Sequence, residues 1–383
     1  MRATISSIFI FFMMGLKVFA QWTPLPNALI NKVCAPAAQY PTIQGAEYCE
    51  AVITNWNSGV MDTKRNRLLV WGGGHNGYYG NEIYYINMSD GTASRLTDTG
   101  LPAANYANCL EAIAGGTQPN SRHTYDGIAY LAHADRFISV SGTVACGPAR
   151  SSTAIWTYSF ATQTWQQMNP IGDSLLMGWD PNTIEGTSIS YDPISKFTFI
   201  DNKVGIMTYD LSTNTLKIRN DQQGGYRPFA VTSIIDPENR HLYVIGGGQM
   251  SRWDISSIIE SNKTGLIPNP TRINSTGGSA IVGASHPGLT YDSFHKKIVG
   301  WSGGNTAYSY NPATNSWTAH TFTNGPGAAD SQGTYKRFSY SATSNAFVVV
   351  NSIDRPAYTL RLSNTLPPPP PAALLAPKNL RIN

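Results

Sequence analysis

The chain has little charge, since Asp, Glu, Lys and Arg together make up only 13% of its 383 residues. The 27 basic residues barely exceed the 23 acidic ones, and the excess is spread along the chain. Binding to a phosphate backbone needs clustered cations. The composition therefore argues against a nucleic-acid partner.

Long apolar runs are also missing, because no segment approaches the roughly 20 residues that a spanning helix needs. The nearest candidate is the first twenty residues, with Arg2, an apolar core from Ile8 to Met14, and small residues ending at Ala20. These features are typical of a cleavable secretory signal. We predict a signal peptide over residues 1–20, a mature chain that is secreted or periplasmic, and no membrane span.

Cysteine is scarce, and the chain has four: Cys34, Cys49, Cys109 and Cys146. An even number in an exported chain predicts two disulfides, for which three pairings are possible. The most local pairing is Cys34–Cys49 with Cys109–Cys146. No CxxC or Cys/His cluster occurs, which excludes a zinc finger or a redox motif of that kind.

Turn-forming residues are abundant, and they mark a repeat that returns six times. Each copy has a turn-prone segment that leads into an apolar strand. The copies are Asp62–Leu68, Leu131–Phe137, Asp192–Phe197, Asp236–Leu242, Asp292–Ile298 and Ser341–Phe347. A repeat of 45–70 residues built from short strands predicts an all-β propeller.

We predict a single propeller domain over residues 21–365, with six four-stranded blades. A seventh blade is possible if residues 98–121 and 171–185 hide one. The last repeat lacks an outer strand, so we expect Trp22–Leu25 to supply it and close the ring. An innermost strand is expected to begin near Ala51. Residues 366–383 hold a run of prolines and are predicted to form a disordered tail.

Glycine pairs at strand ends and paired aromatics such as Tyr158 with Trp165 and Tyr310 with Trp317 recur along residues 22–363. In these features the chain resembles kelch-type blades of the galactose oxidase-like superfamily. The resemblance implies the propeller fold, but propellers have many unrelated activities.

In a propeller, the loops between the second and third strands and the loops between blades emerge on one face. Histidines, tyrosines and cations cluster in these loops, where acidic residues are sparse. The candidates are His75, Asn76, Tyr78, Arg122, His123, Tyr125, Tyr226, Arg227, His286, Tyr335, Lys336 and Arg337. Cations without carboxylate partners, together with aromatic rings, predict a site for an anionic, hydroxyl-rich ligand. We therefore expect an anionic polysaccharide or glycan as the partner.

One reaction that uses such a cluster is β-elimination at a uronic acid, which needs a base, an acid and a cation for the carboxylate. Around Gly74-His75-Asn76, Arg122-His123-Thr124-Tyr125 and Tyr226-Arg227 the chain resembles propeller-type polysaccharide lyases such as ulvan lyases. The chemistry assigns catalysis to His75, His123, Tyr125 and Tyr226. Substrate binding falls to Asn76, Tyr78, Arg122, Arg227, His286, Tyr335 and Arg337.

The sequence leaves other functions open. Glycoside hydrolysis needs two positioned carboxylates, and the sequence signals no such pair. A galactose oxidase-like copper enzyme needs a free cysteine crosslinked to tyrosine, which two disulfides would exclude. A non-catalytic carbohydrate-binding or surface-interaction propeller needs nothing that the sequence lacks. We predict no cofactor, leave a structural metal ion open, and expect a monomer.

Overall fold

The computed structural model describes residues 21–148, 150–177, 186–202, 205–220, 230–261 and 264–362. The predicted signal peptide and the proline-rich tail lie outside this part of the chain. Within it, six antiparallel sheets have four strands each, which we number as blades 1 to 6 in chain order. The β-propeller fold is thereby confirmed.

The strands of each blade are named from the innermost outward. Blade 1 contains Gly59–Asp62, Arg67–Val70, Tyr84–Asn87 and Thr92–Arg95; blade 2 contains Ile128–Leu131, Arg136–Val140, Ile155–Ser159 and Thr164–Met168. Blade 3 contains Ser188–Tyr191, Thr198–Asn202, Gly205–Asp210 and Thr215–Asn220; blade 4 contains Thr232–Asp236, His241–Gly246, Gln249–Asp254 and Thr271–Arg272. Blade 5 contains Gly288–Asp292, Lys297–Trp301, Thr306–Asn311 and Ser316–Thr321; blade 6 contains Phe338–Ser341, Ala346–Val349, Ala357–Leu360 and Thr23–Leu25.

Shorter elements decorate the blades. Arg122–His123, Thr143–Val144 and Arg150–Ser151 form a three-stranded sheet, which we call the rim sheet. Residues 98–121 contain a small hairpin of Ala112–Ile113 and Gln118–Pro119. The α-helical turns are Ala51–Thr54, Ser174–Met177 and Ser279–Val282, and the 3-10 turns are Ile30–Lys32, Pro41–Ile43, Tyr48–Glu50, Ala114–Gly116 and Tyr335–Arg337. The strand expected near Ala51 is therefore wrong, because that segment is helical and the innermost strand begins at Gly59.

The repeated turn between the first two strands follows from its residues. In blades 3, 4 and 5 an aspartate accepts hydrogen bonds from backbone N–H groups two and three residues ahead, as Asp236 does from Glu238 and Asn239 at 3.1 Å each. Such side chains mimic a backbone turn. A residue just before the second strand is left-handed in every blade: Asn66, Asp135, Lys196, Arg240, Lys296 and Asn345. The turn-forming residues of each repeat therefore occur where the backbone needs a side-chain acceptor and a left-handed residue.

The blades form a ring, since each innermost strand contacts the next and the last contacts the first. Apolar side chains fill the space between neighbouring blades. Between blades 1 and 2 these include Trp71, Phe137 and Tyr158, all almost fully buried. A blade cannot bury both of its faces alone, so the ring is one cooperative unit.

The N-terminal strand closes this ring, as the sequence predicts. Thr23–Leu25 pairs antiparallel with the third strand of blade 6, with Thr23 opposite Thr359. Trp22 is fully buried, and its Nε1 donates a hydrogen bond to the Asn305 carbonyl at 3.1 Å.

The two predicted disulfides, Cys34–Cys49 and Cys109–Cys146, are both present. Their presence points to an oxidising compartment. None of the helices in the described part of the chain is long and apolar enough to cross a membrane.

Candidate functional site

Two histidines stack face to face where the loops of blade 1 and the rim sheet meet. The rings of His75 and His123 are parallel, with centroids 4.1 Å apart. Gly74 makes this approach possible, because a Cβ on it would lie 1.9 Å from Cδ2 of His123. Loops that are 48 positions apart in sequence therefore converge, as the blade topology predicts.

His123 is the inner member of this histidine pair. It is 1% exposed, His75 is half-buried, and Trp56 packs against His123 with ring centroids 5.1 Å apart. Neither ring nitrogen of His123 has a hydrogen-bond partner within the described part of the chain. Burial, followed by the nearby His75, holds the pKa of His123 well below its usual value. His123 is therefore a neutral imidazole at neutral pH.

Tyr125 also contacts His123. Its ring lies edge-on to His123 with a centroid distance of 6.0 Å. Its hydroxyl shares a hydrogen bond of 3.2 Å with Oγ1 of Thr143, which comes from the middle strand of the rim sheet. The phenol is thus held close to the histidine pair.

A second cluster comes from the loops that precede blades 5 and 6. The rings of His286 and Tyr335 are 4.7 Å apart, and Nδ1 of His286 shares a 3.0 Å hydrogen bond with Oγ of Ser285. Tyr335 is fully buried, and burial, then Tyr125, then Asp126 raise the pKa of its phenol well above the usual value. The residues that follow Tyr125 and Tyr335, Asp126 and Lys336, form an ion pair at 2.8 Å, so the two clusters adjoin.

The backbone of both clusters is strained. Trp56, His75, Tyr125, His286 and Tyr335 all have φ between 40° and 50°, in the left-handed region that bulky residues avoid. Each such residue costs on the order of 1–3 kcal/mol, and strain of this kind concentrates at functional sites. The left-handed residues in the turns between the first two strands of the blades are all polar, whereas these five carry aromatic rings, which marks the two clusters as the candidate site.

A buried ion pair links the segments that carry the two tyrosines. Asp126 and Lys336 directly follow Tyr125 and Tyr335, and Nζ of Lys336 lies 2.8 Å from both carboxylate oxygens of Asp126. Lys336 also donates to the Ile189 carbonyl at 2.5 Å. Asp126 accepts further hydrogen bonds from the Ser188 hydroxyl and, at 2.8 Å, from the Ser233 backbone N–H. The pair joins inner elements of several blades at the centre of the ring.

Arg122 is not available to a ligand. Its side chain is fully buried, and Nη2 lies 2.9 Å from Oε1 of Glu111. The same guanidinium donates to the carbonyls of Asn120 and Ser141 and, at 2.9 Å, to the Ser152 hydroxyl. This arrangement is structural, and it does not support the predicted role of Arg122 as a carboxylate binder.

The side chain of Arg337, like that of Arg122, is occupied by hydrogen bonds within the protein. It is fully buried and donates to the carbonyls of Asn57 at 2.9 Å, Val350 at 3.0 Å and Gly333. The expectation that acidic residues are sparse here is wrong, because Glu111 and Asp126 neutralise Arg122 and Lys336. Arg122 and Lys336 are therefore not cations without carboxylate partners, and they do not support an anion site on that ground.

The glycine-rich loop of blade 1 holds one exposed and one buried candidate. Asn76 is exposed, and its Oδ1 accepts a hydrogen bond of 2.9 Å from the Tyr79 hydroxyl. Tyr78 is fully buried and donates to Oε1 of Glu82 at 3.2 Å. Burial raises the pKa of Tyr78 and lifts that of Glu82 to about 7. The burial of Tyr78 does not support its predicted contact with substrate.

Tyr226 and Arg227 lie outside the described residues, so their place at this face stays a prediction. Trp56, which backs His123, is a site residue absent from the candidates drawn from the sequence, and no motif around it signals the role. Within the described ranges, no group of three His, Cys, Asp or Glu side chains could hold a metal ion. All four cysteines are in disulfides, which leaves no thiol for a cysteine–tyrosine cofactor.

Comparison with known protein families and with curated proteins finds no match. The solved structure of YjhT is similar, with 8% identity and a TM-score of 0.51, over 83% of this chain and 97% of that one. This likeness shows the propeller fold alone. A fungal alcohol oxidase of the AA5 family in complex with copper matches over 79% of this chain and 61% of that one, with 10% identity and a TM-score of 0.46. A similarity this low supports no conclusion about activity.

Proposed function

We propose that the chain is a secreted, carbohydrate-active propeller that cleaves a uronate-containing polysaccharide by β-elimination at the face carrying His75 and His123. The observation that supports it most is the stacked histidine pair beside Tyr125. The strained backbone around the pair adds support, because such strain is retained where it serves a site. The two disulfides agree with an extracellular or other oxidising location.

The proposed reaction needs two proton transfers. A base removes the proton from C5 of the uronate, a C4–C5 double bond forms, and the C4 oxygen leaves with a proton from an acid. His75 is the member of the pair nearer the surface and serves as the base. Tyr125 supplies the proton to the leaving oxygen. Stacked imidazoles repel a second positive charge, so one of them keeps its lone pair at neutral pH.

The uronate carboxylate needs a cation or strong hydrogen-bond donors while negative charge develops on it. Arg122 and Arg337 do not fill this role, since both are buried in structural hydrogen bonds. Arg227, with Tyr226 beside it, remains the proposed neutralising residue. Asn76 is exposed next to His75 and supplies an amide for a sugar hydroxyl.

A non-catalytic carbohydrate-binding propeller is the second candidate, and one observation favours it. Arg122 and Arg337, which the lyase hypothesis would use to bind the carboxylate, are both buried in structural hydrogen bonds. A carbohydrate-binding site, in contrast, needs only aromatic faces and polar groups. Trp56, His75 and Asn76 would supply those at the same face.

The experiment is to incubate the protein with a panel of uronate polymers and to follow the ultraviolet absorbance of the unsaturated product. The lyase hypothesis expects this signal in the wild type and a loss of about 10²–10⁴ in rate for His75→Ala, the scale of acid–base catalysis. His133→Ala is the matched control, because His133 contacts Tyr191 on the opposite face of the propeller.

The other outcomes of this assay support a different function or refute both candidates. Binding without the absorbance signal and without new reducing ends favours the carbohydrate-binding candidate. New reducing ends without the signal would mean hydrolysis, and no binding to any polymer in the panel would refute both candidates.

A further inference from the structure

A polar cavity opens on the face that carries the histidine pair, further from the axis. It has a volume of about 370 Å³ and lies where the two outer strands of blade 2 reach this face. Its polar lining includes Glu111, Arg150, Gln167, Asn169 and Asp173. The volume lies at the lower end of the range of known ligand pockets.

The rim sheet connects this cavity to the histidine pair. His123 lies opposite Thr143 on the middle strand, and Thr143 lies opposite Ser151 on the outer strand. Ser151 and Arg150 line the cavity. Two strand spacings separate His123 from Ser151, which is roughly 10 Å. One oligosaccharide chain can therefore reach both places.

The charged groups that line the cavity favour an uncharged ligand. Burial alone would raise the pKa of Glu111, but the charge of Arg122 and hydrogen bonds from Trp156 and Ser152 outweigh it and lower that pKa. Glu111 is therefore ionised, and its Oε1 accepts from Nε1 of Trp156 at 3.0 Å. Glu111 is already paired with Arg122 at 2.9 Å, and the lining contains one further carboxylate, Asp173, and one further cation, Arg150, so its charges balance. A second uronate would find no net positive charge here, whereas sugar hydroxyl groups can donate to the carboxylate oxygens.

Two amides in the lining have unused hydrogen-bonding capacity. Gln167 and Asn169 are exposed on the last strand of blade 2 and just after it. Their side-chain amides have no hydrogen-bond partner among the described residues. Gln166, the neighbour on the opposite face of the strand, instead accepts a 3.2 Å hydrogen bond from Nη1 of Arg136. Planar amides that both donate and accept suit the hydroxyl groups of a sugar.

We propose that this cavity is an accessory subsite for a neutral, hydroxyl-rich sugar residue of the same polysaccharide whose uronate lies at His75. This inference rests on the proposed function and narrows the substrate class. The substrate is then a polymer in which neutral sugars accompany the uronate, and not a polymer of uronates alone.

The test measures the affinity of full-length mature protein for two oligosaccharide series by calorimetry. One series alternates glucuronate with neutral sugar residues, and the other consists of oligogalacturonates, in which every residue is acidic. The wild type should bind the alternating tetrasaccharide more tightly than its disaccharide. Gln167→Ala should reduce that gain about three- to tenfold, the scale of one lost hydrogen bond. Gln166→Ala is the matched control and should leave the gain unchanged.

The outcomes separate this inference from the function that it rests on. If the wild type binds neither series, the proposed function and the subsite both fail. If it binds the alternating series but Gln167→Ala keeps the full gain, the subsite alone is refuted. Equal gains for the alternating and the all-acidic series would also overturn the neutral-sugar specificity.

Discussion

The Asp126–Lys336 ion pair gives the sharpest prediction about stability. Nζ of Lys336 has all three of its protons directed at acceptors, two at Asp126 and one at the Ile189 carbonyl. Removing one partner of a buried pair leaves a charge without compensation, which costs about 3–5 kcal/mol. We expect Lys336→Met and Asp126→Asn each to lower the free energy of unfolding by that amount.

The double variant, with both substitutions, should lose far less than the sum of the single variants. The expected coupling energy is at least about 2 kcal/mol, because the groups touch and share their hydrogen bonds. Urea unfolding of the four proteins at pH 7 measures it. Additive losses, equal to the sum within about 0.5 kcal/mol, would refute the claim that this pair anchors the centre of the ring.

Two further predictions concern buried charged groups. Burial raises the pKa of Glu82 from 4.5 to about 7. A carboxyl with a raised folded-state pKa loses stability as pH rises through that interval, so Glu82→Gln should abolish a fall of no more than about 3 kcal/mol between pH 4.5 and 7. Identical pH profiles of unfolding for variant and wild type would contradict this. Arg122→Ala should lower the free energy of unfolding by about 3–5 kcal/mol, since it removes the cation paired with Glu111 and the donor to two carbonyls. An unchanged melting temperature would instead restore Arg122 as a candidate ligand-binding residue.

The fold was predictable because its signals are local and repeat. The turn-prone segment and the apolar strand that follows it recur in the sequence at intervals of roughly 45–70 residues. The missing outer strand of the last repeat also predicted the pairing of Thr23–Leu25 with blade 6. Ala51–Thr54 misled because its apolar run is too short to distinguish a strand from a buried helical turn.

The site was only partly predictable, for a physical reason. Topology predicted that His75 and His123 would share a face, and they stack there. Pairing between cations and acids, however, depends on tertiary contacts that no spacing encodes. Glu111 meets Arg122 across a loop of 11 positions, and Asp126 meets Lys336 across 210, so their charges looked unpaired in the sequence.

The pairing of Thr23 with Thr359 also sets an order of events during biosynthesis. Of the described strands, the earliest to be synthesised is an outer strand of the last blade, and its partner is synthesised 336 residues later. The ring therefore cannot close until nearly the whole propeller has been translated. Until then blade 6 has no outer strand, and the indole of Trp22 has no core to enter. The Cys34–Cys49 disulfide spans only 15 positions and can form long before that point. A nascent chain would thus be crosslinked between these two cysteines while Thr23 still lacks its partner Thr359.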